Sequence, residues 1–213
     1  STPVAEALGL PVLTGPFLFS LLGLVLAIAV IVWRLRPDPL IEARRRRVAD
    51  GDDSGPAHGS VTRGLRVAAG IPPARLGMLT LALGHVVMVS VMVMTPLHMN
   101  HGGADLEVIG FVISIHILGM FAFSPLTGLA VDRFGGRAVA VLGSVILSAA
   151  ALLASASPEG ESFTLLLGLF LLGLGWSCTL VAGSTLLTAA VPAHERPGAQ
   201  GASDLLMGLM AAG

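Results

Sequence analysis

Polar and apolar residues are segregated along this chain in blocks, with five long apolar runs and the polar residues gathered into the gaps between them. The runs predict membrane-crossing helices at 12–33, 76–97, 108–131, 138–157 and 163–191. Each has the ~20 residues that cross a hydrocarbon layer ~30 Å thick. A sixth apolar run begins near Ala202 and stops after about twelve residues. That short run, with the polar, Met-less start "STPVAEALGLP", reads as the two ends of a piece of a longer protein.

Helices are expected over barrel strands, because the runs are continuously apolar and lack the period-two alternation of a lipid-facing strand. In "GLFLLGLGW" (168–176) the glycines are spaced so that helix backbones can approach closely. The expected class is therefore an all-α, polytopic membrane bundle with five full spans and the start of a sixth. Composition agrees. The 213 residues are 54% hydrophobic and 12% charged, about half the ~25% charged residues of a soluble domain. Between 76 and 131 only Asp105 and Glu107 carry charge, and 162–191 carries none. The bilayer is thus one partner. The net charge of −1 supplies no field for nucleic acid, which is not expected as a partner. The single cysteine, Cys178, lies inside an apolar run and has no internal disulfide partner.

The arginines orient the spans. If the crossings alternate, segments 34–75, 132–137 and 192–201 lie on one side and hold nine, two and one arginines, which is all twelve. The opposite segments, 1–11, 98–107 and 158–162, hold none. The positive-inside rule makes the first group cytoplasmic, in an inner membrane. A wrong span count would have scattered the arginines over both sides. Segment 34–75 is the one long connection. It carries "RRRR" (44–47), read as a stop-transfer flank more than as a binder of anionic headgroups. The run 51–60 has a disordered composition, and "SVTRGLRVAAGIPPARL" is expected to return the chain along the membrane surface.

The gap "GLAVDRFGGR" (128–137) is unusual for a tight turn between two membrane spans. Gly128 lies one helical turn before Asp132, leaving room for a neighbouring helix on that face. Asp132 falls near the carboxyl end of its helix, where the dipole disfavours an anion, so it needs a donor from another element. Gly135 and Gly136 are both suited to positive φ. Arg133 and Arg137 stay in the aqueous layer.

Here the sequence resembles the major facilitator superfamily, in the pattern G-x-x-x-D-R-x-G-[RK]-[RK]. Gly128, Asp132, Arg133, Gly135 and Arg137 match it, while Gly136 stands where a basic residue is usual; "HERPGAQG" (194–201) adds to the likeness. The resemblance implies that 1–33 is the end of an N-terminal half (helix six), 34–75 the central cytoplasmic loop, and 76–213 a C-terminal half truncated in its fifth helix. It implies alternating access, with Asp132 at a cytoplasmic gate whose partner belongs to an N-terminal half upstream of this chain.

Other residues carry candidate chemistry. His116 lies mid-span and is a candidate for proton coupling or substrate contact, against the plainer role of a neutral histidine bonded across a helix interface. His85, mid-span in the preceding helix, is a second candidate, at a depth where the two rings can face each other. Asp204 is a third; its alternative is a carboxylate capping the first turn of the sixth span. His98 and His101 lack the further ligands a metal site needs, so none is expected. The methionines of "VVMVSVMVMTP" (86–96) can line an adaptable apolar cavity or simply pack. Pro96 and Pro125 are expected to kink or end their helices. No GxSxG, HExxH or GxxxxGK[ST] pattern occurs, so no enzyme activity, catalytic residue or cofactor is expected. The resemblance to the major facilitator superfamily implies a secondary transporter of a small molecule, expelling it in exchange for protons, with His116 as the proton candidate. The rival is a transporter-like sensor or scaffold that binds a partner through its arginine-rich linker.

Overall fold

The computed structural model describes residues 14–36, 60–160 and 162–212, together with 9, 41, 42 and 45. The "RRRR" run, Arg45 apart, and the 51–59 stretch lie outside the described residues. Two compact units divide the chain at Pro56 and Ala57.

In the first unit, α1 (Gly15–Arg34) opens with a proline in its first turn and ends on Arg34. Proline is tolerated there because the first helical N–H groups have no intrahelical partner. The helix is apolar on all sides, and none of its span is buried within the chain. Such a surface calls for lipid or another helix around it. At its end the Arg34 guanidinium lies 5.6 Å from the Trp33 ring centre, a cation favoured by the helix dipole beside an indole suited to a membrane edge.

The second unit begins with α2 (Val61–Gly70), an amphipathic helix inside what the sequence reads as linker. Ile71 ends it, and two prolines start α3 (Pro72–His101) at once. Pro96 does not end α3. The helix runs through it to His101, and the buried Thr95 hydroxyl donates to the Val91 carbonyl (2.8 Å). The carbonyl that Pro96 leaves without a helical donor is that of Met92, one residue along from this bond, and membrane helices tolerate such a gap where neighbouring helices support the backbone.

Then come α4 (Leu106–Phe121) and α5 (Ser124–Phe134), which form one apolar span of 29 residues interrupted at Ala122 and Phe123. Pro125 causes the interruption. It has no N–H to offer the Phe121 carbonyl four residues before it. α6 (Gly136–Ser155) and α7 (Phe163–Ala190) follow, then α8 (Arg196–Ala212). Five helical spans are long and apolar enough to cross a membrane, and no strand occurs among the described residues.

The hub of the second unit is α7. Its apolar window is 56% buried, against 22–33% for the spans at α3, α4–α5 and α6. Glycine makes this burial possible. A Cβ on Gly173 of α7 would lie 2.2 Å from the His116 carbonyl oxygen, and one on Gly119 of α4 would lie 2.5 Å from the Phe170 carbonyl oxygen. The backbones of α4 and α7 therefore touch, as the "GLFLLGLGW" spacing predicts. Packing continues through Met99, Ile109, Val112, Leu165 and Leu169 at one end of α7. At the other end Ala74, Met78, Leu81, Leu187 and Ala199 close the core.

Candidate functional site

Three places concentrate the polar chemistry: the turn between α5 and α6, the joint between α2 and α8, and the mid-depth of α3, α4 and α7.

A single residue makes the first turn. Gly135 caps α5 and starts α6, with φ +83° and ψ 152°, a conformation essentially limited to glycine. Its N–H donates to the Val131 carbonyl (2.9 Å) and its carbonyl accepts from Val139 (3.3 Å). Gly135→Ala should therefore cost about 1–3 kcal/mol, read as a fall in Tm of the purified protein; an unchanged Tm would show that the strain is absent.

Gly136 behaves otherwise than expected, since its φ is not positive. It is the first residue of α6 and lies against α7, where a Cβ would meet Leu186 Cγ at 3.0 Å. Closeness to Leu186, more than backbone freedom, is what a larger residue would disturb here. Asp132, Arg133 and Arg137 are exposed, and Gly128 is half-buried with nothing within 4 Å of a Cβ placed on it. The Arg133 guanidinium lies 5.8 Å from the Phe134 ring centre. Among the described residues Asp132 has no ion-pair partner, and the Gly128–Asp132 face is uncovered.

The second place was not singled out from sequence. Glu195 directly precedes α8, its side chain 7% exposed, and forms an ion pair with Arg63 of α2 (2.5 Å); the His194 imidazole stands 3.6 Å away. A carboxylate before a helix N-terminus is favoured by the dipole. The helices meet closely, since a Cβ on Gly64 would lie 2.2 Å from the Gly198 carbonyl carbon. "HERPGAQG" carried the signal, but its partner "TRG" lies some 130 residues earlier, and no local pattern links the two.

Asp204 also differs from expectation. α8 starts at Arg196, not near Ala202, which puts Asp204 more than two helical turns inside it. It therefore does not cap the first turn. It accepts from Gln200 Nε2 (3.2 Å), while Gln200 Oε1 accepts from Ser184 of α7 (3.4 Å).

At mid-depth, α7 holds both histidines separately. His116 is buried, and its Nδ1 donates to the Leu169 carbonyl (3.0 Å). His85 is half-buried, and its Nδ1 accepts from the indole N–H of Trp176 (3.3 Å). No hydrogen bond joins the two histidines among the described residues. Phe121 stands edge-on to Trp176 at 6.3 Å. Sequence reasoning passed over Trp176 and Phe121, although each interrupts an otherwise aliphatic run. His98 has a structural contact on the other loops: its Nε2 donates to the Pro158 carbonyl (3.1 Å), with Ser157 Oγ at 3.2 Å.

Long apolar helices packed around a glycine-lined hub define a polytopic helical membrane protein, and the one-glycine turn bearing Asp132 and two arginines narrows its class. The chain belongs to the major facilitator superfamily, whose sequence model matches residues 77–212. It is 36% identical over 208 residues to the uncharacterized MFS-type transporter YdeG of Bacillus subtilis (strain 168), covering 98% of this chain and 48% of the relative. YddS of the same organism, also an uncharacterized MFS-type transporter, is 36% identical over 209 residues, covering 98% and 47%. The riboflavin transporter RfnT of Brucella anthropi is 30% identical over 159 residues, covering 73% and 37%. The chain thus spans about half the length of the two Bacillus relatives. No solved structure matches it. The family is one of transporters rather than enzymes.

Proposed function

We propose that this chain forms part of a secondary carrier that expels a small molecule from the cell in exchange for protons, by rocking between two states open to opposite sides. In this reading 1–33 ends one helical half, 34–75 joins the halves, and 76–213 makes most of the other. The inner membrane holds them, with 34–75, 132–137 and 192–201 in the cytoplasm. The observation that carries the reading is the uncovered face of α5: Gly128 and exposed Asp132 lie one turn apart with nothing packed on them among the described residues. A carboxylate at the end of its own helix gains from a donor on another element. A neighbouring half seated on that face would complete a gate held by Asp132, with Arg133 and Arg137 in the adjoining water and Gly135 setting the turn.

Labelling tests it. Leu129 lies three residues from Asp132 on the same helix face and is 64% exposed. In the full-length protein lacking Cys178, a Leu129→Cys reporter should react slowly with a membrane-impermeant maleimide while the cytoplasmic side is closed. Adding Asp132→Asn should speed labelling severalfold. Equal rates with and without Asp132 would reject the gate.

Proton exchange draws support from His116, an ionisable group at mid-span whose ring is bonded, among the described residues, to a main-chain carbonyl. In proteoliposomes His116→Ala should abolish substrate-driven proton flux while substrate binding survives. Unchanged coupling would remove His116 from the mechanism. Asp204, which accepts from Gln200, itself bonded to Ser184 of α7, is a second candidate for proton coupling or substrate contact. The riboflavin named for the Brucella relative is a small organic molecule, the size of cargo such a carrier handles.

A further inference from the structure

His85, Phe121 and Trp176 occupy one depth of the bundle. His85 and Trp176 are each fourteenth in their helices, α3 and α7, and Phe121 stands at the interruption of the α4–α5 span. The indole N–H can only donate, so the 3.3 Å contact makes His85 Nδ1 an acceptor. The proton of the neutral ring is then on Nε2. That N–H has no partner among the described residues, and the ring is half-buried.

An unpaired N–H facing hydrocarbon at mid-depth would cost several kcal/mol. This face of the bundle is therefore built for something that accepts a hydrogen bond. The interruption sharpens the point. Pro125 leaves the Phe121 carbonyl without its helical donor, and broken backbone is tolerated at membrane depth where it is buried in protein or lines a cavity.

The aromatic rings narrow the chemistry. The Phe121 ring is 60% exposed and meets Trp176 edge-on at 6.3 Å, and His85 meets the same indole at 6.5 Å with a tilt of 47°. The His85 and Phe121 rings each meet the Trp176 indole at an angle, and together the three offer π faces and edges to a flat guest. An organic cation would also find π faces, but it would meet the outward N–H of His85 and no carboxylate. Within 76–131 the two acids are Asp105 and Glu107, both beyond the outer end of α3, and 162–191 has none. An anion would find no arginine of this chain at this depth. A neutral molecule is the guest that the residues of this half fit.

We propose that His85, Phe121 and Trp176 form the contact surface for a neutral, flat heteroaromatic substrate, whose ring carbonyl or ring nitrogen accepts from His85 Nε2. The inference rests on the carrier reading and adds the substrate class to it. Phe121 and Trp176 hold the ring system by stacking and edge contacts. The Trp176 indole keeps the His85 proton on the outward nitrogen, so Trp176 positions the donor as well as touching the guest.

Calorimetric binding to the full-length protein in lipid nanodiscs tests this. The flat probes are riboflavin and 4-quinolone; 1-decalone keeps a carbonyl without a π face, and tetraphenylphosphonium is a lipophilic cation. The flat probes should bind and the other two should not. His85→Phe keeps an aromatic ring but loses the donor, and should weaken flat-probe binding at least tenfold. His85→Gln restores a donor and should recover part of that loss. Phe121→Leu, at an exposed position that leaves the helix packing intact, should weaken it severalfold. Trp176→Phe should act like a milder His85→Phe. Failure of both flat probes to bind, binding of tetraphenylphosphonium instead, or flat-probe affinity unmoved by His85→Phe and Phe121→Leu would each overturn the proposal. The Leu129→Cys reporter, measured on the same samples, separates the two readings. If its labelling still responds to Asp132→Asn while the flat probes fail, the carrier stands and the substrate class falls. A reporter that never responds takes the gate with it.

Discussion

Gly173→Ala should lower the stability of the full-length protein by about 3 kcal/mol or more, the sum of overpacking and a lost interhelical hydrogen bond. The new methyl would sit 2.2 Å from the His116 carbonyl oxygen and 2.9 Å from the Met120 nitrogen. Both neighbours are main chain and cannot rotate aside, so α4 and α7 must separate. Separation loosens the glycine contact that lets membrane helices pack without a hydrophobic driving force. It also stretches the 3.0 Å bond from His116 to the Leu169 carbonyl. Gly110→Ala is the control: Gly110 is an exposed residue of α4 with nothing within 4 Å of its Cβ, and alanine is the better helix former. Thermal unfolding in detergent should therefore show a large fall for Gly173→Ala and none for Gly110→Ala. Equal midpoints for the two would mean that the α4–α7 backbone contact does not exist in the folded protein.

The second large effect is an asymmetry between the partners of one ion pair. Arg63 is 64% exposed and Glu195 only 7%. Arg63→Met strands a buried carboxylate, with the largely exposed His194 imidazole 3.6 Å away, and should cost about 3 kcal/mol. Glu195→Gln frees an arginine that water can reach and should cost only about 1 kcal/mol. The double variant should cost less than the sum of the singles, because the second change removes the charge that the first left unpaired. Limited proteolysis should follow the same order, with cleavage between α2 and the residues before it fastest in Arg63→Met. Equal losses in the two single variants, or the reverse order, would show that Glu195 is not buried against α8 as described.

The helical spans were legible to within a few residues. 163–191 was expected where Phe163–Ala190 forms, and 138–157 where Gly136–Ser155 forms. Where expectation and structure part, a local rule met a longer-range one. Pro96 passes inside α3, because membrane helices tolerate one missing bond where neighbouring helices hold the backbone. Gly136 looked like a turn residue beside Gly135, yet only Gly135 takes positive φ; the contact with Leu186 concerns a helix fifty residues later. Asp204 resembled a cap because its helix was started too late. The polar stretch 194–201 hid the first turns of α8, whose Ala199 and Ala202 are buried.

Composition and spacing alone determined the apolar surroundings, the five long apolar helices and the need for a glycine at the 135–136 turn. Those follow from length against bilayer thickness, from the scarcity of charge, and from one backbone conformation. Tertiary structure decided which helix faces meet: α7 as hub, Arg63 against Glu195, and Trp176 donating to His85. A helix apolar on every side carries no stripe to mark its buried face. Its partners are chosen by where glycines let backbones touch and where a stranded N–H finds an acceptor, and both depend on residues far apart in the chain.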